Sequence, residues 1–271
     1  MKMPIATVCL SLVVGVASVG IGAAADYQKG LDAARKGDFA TAFREWKPLA
    51  EQGDAVAQYI LGAMYDVGEG VVKDDREAVR WYRLAAEQGF ARAQSNLGAM
   101  YDKGEGVVED DREAVKWFRL AAEQGHAVAQ FNLGAMYDKG EGVIGDDREA
   151  VKWFRLAVEQ GNADGQNNLG FMYDKGEGVI EDDREAVRWY RLAAEQGHAL
   201  AQSNLGAMYY NGSGVTQDNI YAHMWWNIAA SLGNEGAKKN GDLVTEHMTS
   251  ADISKAQSLA RNCVQKNYKD C

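Results

Sequence analysis

The chain has 271 residues, enough for one or two ordinary domains or one long repeat array, and its 46% apolar and 25% charged content is that of a packed globular protein. A net charge of −10 argues against charge-driven binding to nucleic acid or to an anionic membrane surface. Three cysteines exclude a disulfide-dense scaffold and a multi-cysteine zinc site, and two prolines among 30 glycines point to helices with glycine in regular places.

The N-terminus reads as a targeting segment. Lys2 precedes an uncharged apolar stretch, Ile5 to Ile21, and Ala23-Ala24-Ala25 forms a small-x-small cleavage pattern before Asp26. Residues 1–25 are therefore expected to be a signal peptide, cleaved after Ala25, and the mature protein to be periplasmic or secreted. An uncleaved anchor is the other reading of an apolar run this long. Cleavage removes Lys2 and no acid, leaving 28 basic against 39 acidic residues. Cys263 and Cys271 remain, eight positions apart, and in an oxidising compartment they are expected to form a disulfide worth roughly 2–3 kcal/mol, tying down the tail.

Beyond Asp26 the chain repeats. Trp81, Trp117, Trp153, Trp189 and Trp225 recur every 36 residues, as do Gly62, Gly98, Gly134, Gly170 and Gly206. Five units follow: 53–88, 89–124, 125–160, 161–196 and 197–232. In the first, Ala57, Leu61, Met64 and Tyr65 line one face of a helix A expected from about Asp54 to Asp66. Glycines 68 and 70 break it. Asp74 caps a helix B over about 75–88, where Ala78, Trp81, Tyr82 and Ala85 form a core stripe. The mid-helix glycine costs about 1 kcal/mol against alanine. Its recurrence calls for a neighbouring helix in close approach, with the equivalent of Trp81 or Tyr82 over it. Residues 26–52 read as a shortened capping unit. Residues 233–271 read as a helical cap, with Thr249 or Ser250 starting its last helix.

The string Ala57-Gln58-x-x-Leu61-Gly62-x-Met64-Tyr65, then Gly68-x-Gly70-Val71, then Ala78-x-x-Trp81-Tyr82-x-x-Ala85-Ala86-Glu87-Gln88-Gly89, resembles the Sel-one-like repeat, a relative of the tetratricopeptide repeat. The ending Ala260-Arg261-x-Cys263 and Cys271 resembles that of exported bacterial members. The resemblance implies an all-α, right-handed solenoid of stacked antiparallel helix pairs, acting as an adaptor for protein complexes at the envelope or the host interface. A related cysteine-rich branch is linked to β-lactam hydrolysis, but its cysteine pair in each repeat is absent here. Departures are local: Gly145, Asp164-Gly165 and Tyr210-Asn211-Gly212-Ser213.

Motifs for chemistry are few. No HExxH, GxSxG, SxxK, P-loop, GxGxxG or CxxC occurs. His126 and His198 open corresponding helices and read as exposed polar residues. The repeated loop acids Asp66, Glu69, Asp74 and Asp75 lack the alternating calcium-loop pattern. No cofactor, metal or catalytic residue is expected, so the protein reads as a non-enzyme. On helix A, positions 56, 59, 60 and 63 fall opposite the core and in a stacked array would line the concave surface. The candidate partner-binding strip is therefore Tyr59, Arg92, Asn96, Phe131, Asn132, Asn168, Phe171 and Asn204. The asparagines, 36 residues apart, either form a ladder for an extended peptide backbone or bond the next repeat. The expected function is an exported, monomeric scaffold for a protein or peptide partner, with no nucleic acid and no membrane insertion after cleavage. The alternative is an envelope hydrolase or an accessory to a cell-wall enzyme.

Overall fold

Residues 21–271 are described by the structure, a computed structural model, with side chains from Tyr27 onward. The expected signal peptide, residues 1–25, lies outside the described residues apart from the backbone of 21–25. The described residues form fourteen α-helices and no strand. A first pair, α1 (Ile21–Arg35) and α2 (Phe39–Glu51), precedes the repeats. Ten helices follow, alternating A and B: α3 (Ala55–Val67), α4 (Asp75–Glu87), α5 (Ala91–Lys103), α6 (Asp111–Glu123), α7 (Ala127–Lys139), α8 (Asp147–Glu159), α9 (Ala163–Lys175), α10 (Asp183–Ala194), α11 (Ala199–Asn211) and α12 (Asn219–Ser231). Two helices close the chain, α13 (Glu235–Thr245) and α14 (Ser250–Gln265).

The helix boundaries are set by chemistry local to each turn. Asp74 Oδ1 accepts the N–H groups of Arg76 and Glu77 at 3.0 and 3.2 Å, and Asp110, Asp146, Asp182 and Asp218 cap α6, α8, α10 and α12 in the same way. Such a cap is worth about 1 kcal/mol. Each A helix stops at a left-handed glycine: Gly68 has φ 78° and its N–H bonds Met64 O. Thr249 caps α14 reciprocally with Asp252.

The chain divides into two compact units, 1–136 with 140–144, and 137–139 with 145–271. Within each, consecutive helices pack in chain order, the arrangement of an α-solenoid with a 36-residue period. Unit 1 centres on Leu31, Trp46, Ile60, Leu61, Tyr82 and Leu97. Unit 2 has one cluster around Tyr190, Leu205, Trp225, Ile228 and Cys263 and another around Trp226 and Val244.

The mid-helix glycine lies under an aromatic ring. A Cβ at Gly98 would stand 2.8 Å from Phe118 Cδ1, and Gly62, Gly170 and Gly206 lie under Tyr82, Tyr190 and Trp226 in the same way. The covering ring is the residue after the periodic tryptophan. The tryptophans form the next layer out: Trp81, Trp153 and Trp225 are buried, whereas Trp117 and Trp189 are half-buried. Arg80 lies 4.6 Å and Arg188 5.1 Å from the ring centroids of Trp81 and Trp189, each arginine also pairing with the glutamate three residues earlier.

A buried glutamine series joins the repeats. Gln58 Nε2 donates to Ala50 O at 3.1 Å, and Gln88 Nε2 then donates to Gln58 Oε1 at 2.8 Å. Gln94 with Gln124, and Gln166 with Gln196, repeat the second contact. At the C-terminal end, Cys263 is buried and stands with Cys271 at disulfide-bonding distance, Cα atoms 5.5 Å apart. Between them Asn267, Tyr268 and Asp270 take φ of 50°, 64° and 52°, and the Tyr268 ring seats on Gly197. Left-handed non-glycine residues cost of order 1 kcal/mol each, so the tail needs these tethers.

Two measurements follow from this packing. Gly98→Ala forces Phe118 off its seat and is expected to lower stability by about 1–3 kcal/mol in urea unfolding; an unchanged midpoint would remove the ring-on-glycine contact from the account. Cys263 and Cys271 are expected to resist alkylation in the folded oxidised protein and to react after reduction, as read by peptide mass spectrometry.

Candidate partner-binding site

The outward positions of the A helices differ sharply between repeats. In unit 1, helix α3 is apolar on nearly every side, and a helix of that kind is buried all round. Tyr59 is therefore not an open anchor. It is 7% exposed and packs on Phe90 and Tyr82, with ring centroids 5.2 and 5.7 Å apart. Ile60, Ala63 and Ser95 are buried as well. Asn96 is half-buried and hydrogen-bonds the Tyr82 side chain, so there the amide serves the fold. Arg92, Phe131 and Asn132 are half-buried, and Val128 is half-exposed at the start of α7.

Unit 2 is more open. Phe171 on α9 is 40% exposed, Leu200 on α11 is 50% exposed and Tyr210 at the end of α11 is 37% exposed. Tyr210 leans on Trp226 at a centroid distance of 5.6 Å, and Trp226 Nε1 donates to Ser203 O at 3.0 Å. The two helices are stitched by amides. Asn204 Nδ2 donates to Asn167 Oδ1, and Asn167 Nδ2 donates to Asn168 Oδ1, each at 3.1 Å. This chain leaves the Asn168 nitrogen and the Asn204 oxygen at its two ends, one donor and one acceptor beside the apolar side chains.

His126 and His198 differ from the exposed polar residues that their sequence positions suggest. His126 and His198 are half-buried helix caps, each accepting a backbone N–H through Nδ1, from Ala129 at 3.3 Å and from Ala201 at 3.1 Å. With Nδ1 accepting, the proton of neutral His198 sits on Nε2, which meets Asp164 Oδ1 at 3.1 Å. That hydrogen bond holds the Asp164 carboxyl below its usual pKa. Both imidazole nitrogens of His198 are thus committed, and the pair has none left to deprotonate a nucleophile. Among the described residues no three His, Cys, Asp or Glu side chains are arranged to hold a metal ion.

Several of these roles have a signal in the sequence. Gln58 and its equivalents sit at a fixed place in every repeat, and an amide repeated at a core position needs a partner. The exposed Leu200 and Val128 occupy the first strip position, where a charged residue stands in other repeats, as Arg92 and Asp164 show.

His126 yields a pH prediction. Burial first, and the positive charge of Arg92 second, hold its pKa below the ordinary 6.5. The neutral ring is the capping form. Its contribution is therefore complete above the unfolded-state pKa and is lost as pH falls through the lowered native one. Replacing His126 by Asn, the residue that caps α9 at Asn162, is expected to flatten the loss of thermal stability between neutral and mildly acidic pH by about 1 kcal/mol. Parallel melting curves of parent and His126→Asn would refute the assignment.

The family model described as Sel1 repeat matches residues 55–90, 91–126, 127–162, 163–198 and 199–234. Among solved structures, a protective antigen of uropathogenic Escherichia coli strains displaying an SLR fold is 36% identical, with a TM-score of 0.78 over 99% of this chain and 57% of that one. The present chain thus spans little more than half of that relative. A Sel1 repeat protein from Oxalobacter formigenes is 33% identical, with a TM-score of 0.78 over 91% of this chain and 97% of that one. No curated protein matches.

Proposed function

Because this chain belongs to the Sel1 repeat family, whose members commonly act as protein-interaction scaffolds and are generally non-catalytic, we propose that it is an exported adaptor that holds a protein or peptide partner on the open A-helix face of unit 2. The observation that carries this reading is the exposure of Phe171 and Leu200, each one helical turn along its own helix from the amide chain of Asn168, Asn167 and Asn204. Large apolar groups beside a free donor and acceptor suit a partner that buries side chains and pairs backbone at once. Export is supported by the N-terminal charge and hydropathy pattern and by the cysteine pair at the tail.

The test is capture from an envelope extract on immobilised mature protein, with Phe171→Ser and Leu200→Ser combined as the comparison. The retained partner is expected to fall about tenfold with the double variant. The melting temperature should stay within about 2 °C, because both side chains are substantially exposed. Equal retention by the variant would reject this face, and retention of nothing by the parent would reject the adaptor reading.

A further inference from the structure

A second surface carries a different chemistry, on the loops between each A helix and its B helix. Val72, Val108, Ile144 and Ile180 stand 36 residues apart, one to a loop, and are 88%, 87%, 91% and 89% exposed. Single exposed aliphatic residues are ordinary. These are the most exposed large hydrophobic residues described, and they hold one register. Packing does not explain them, since so exposed a side chain buries almost nothing.

The loops also concentrate charge. Residues 66–75 hold four acids and one lysine, 102–111 five acids and one lysine, 138–147 four and one, and 174–183 five and one. Their combined negative excess is larger than the −10 of the whole chain, so the remainder is net positive. In the fifth loop both features fade together: Thr216 takes the tip position and Asp218 is its only acid.

The tips of unit 1 are held in line. The second glycine of each loop rests on the start of the preceding B helix: a Cβ at Gly106 would stand 2.2 Å from Asp75 O, and one at Gly142 2.3 Å from Asp111 O. Loop spacing is therefore helix spacing, about 8–10 Å. In unit 2, Ile180 borders a 710 Å³ hollow that also includes Val151 and Val179. The cations facing that hollow are largely engaged: Lys152 pairs with Glu149 and Arg155 bonds the Tyr173 hydroxyl.

We infer that the loop edge of unit 1, with Val72, Val108 and Ile144, is a docking surface for an extended cationic segment of another protein, carrying an apolar residue at every third position. The occupant follows from the surface. Tips at helix spacing match the period of an extended left-handed segment, about 3.1 Å per residue and three residues per turn. Lysine or arginine between its apolar residues would meet the loop acids, an attraction that salt screens. The surface is distinct from the A-helix face of unit 2, so each can fail alone.

The probe is a fluorescein-labelled peptide of five Lys-Ser-Leu triplets, compared with Lys-Ser-Ser and Glu-Ser-Leu peptides of the same length. It is titrated with mature protein at low ionic strength by fluorescence anisotropy. The variant combines Val72→Thr, Val108→Thr and Ile144→Thr, copying the residue found at the fifth tip. The Lys-Ser-Leu peptide is expected to bind about tenfold more tightly than either control and to lose about that factor with the triple variant or in high salt. Far-ultraviolet circular dichroism should show the variant as helical as the parent. Absence of binding, equal binding of Lys-Ser-Ser, or equal binding to the triple variant would each overturn the inference. Phe171→Ser with Leu200→Ser should leave this titration unchanged, and a matching loss there would place the peptide on the A-helix face instead.

Discussion

An aromatic ring seated on a glycine in the middle of a facing helix is the contact from which the repeat is built. Phe118 over Gly98, Tyr190 over Gly170 and Trp226 over Gly206 bring the two helices of a pair closer than any side chain at the glycine would permit. The cost is helix propensity, about 1 kcal/mol for each glycine. What offsets it is burial of a whole ring, which typically contributes more than that. Once the pair is closed at this separation, the remaining parts have fixed places. The loop must turn back sharply, which its left-handed glycines allow, and the B helix must start at once, which the aspartate cap achieves.

Contacts between pairs include polar links as well as apolar packing. The glutamine at the end of α4, α6 and α10 reaches back to the buried glutamine of the A helix before it, and the A-helix glutamines Gln58 and Gln94 bond the end of the previous B helix. Arg83 to the Tyr101 hydroxyl and Arg191 to that of Tyr209 add a link on another edge. Buried amides left without partners would be costly, so these bonds select the stacking register as well as stabilise it. They also divide the surface by role. Positions committed to stacking keep their residues, while the first A-helix position and the loop tip are left open to contact with other molecules.

Much of the architecture was legible because a 36-residue period multiplies weak local signals. A single Asp before a helix is a modest hint. The same Asp before Asp-Arg-Glu-Ala-Val four times is a cap, and the structure places it as one. The ring over the glycine could be expected for the same reason, since a penalty accepted five times implies a contact. The strip opposite the core was less legible. Helical geometry gives the direction of a side chain but not what stands there. Tyr59 and Ile60 fall opposite the core stripe by helical spacing and are nevertheless buried, because Tyr82, Phe90 and the apolar surroundings of unit 1 reach them.

By itself, then, the sequence determined the helix pairs, their period, their caps and breaks, and the place of the glycines, all of which depend on residues within one turn or one repeat. Only the tertiary structure decided which outward residues are free. Exposure of Phe171 and Leu200 but not Tyr59, the bond from Asn204 to Asn167, and the contact of His198 Nε2 with Asp164 depend on side chains roughly a repeat away. Local periodicity carries no information about atoms that meet through space. A buried face and an open one can share the same spacing and differ only in what the next helix brings to them.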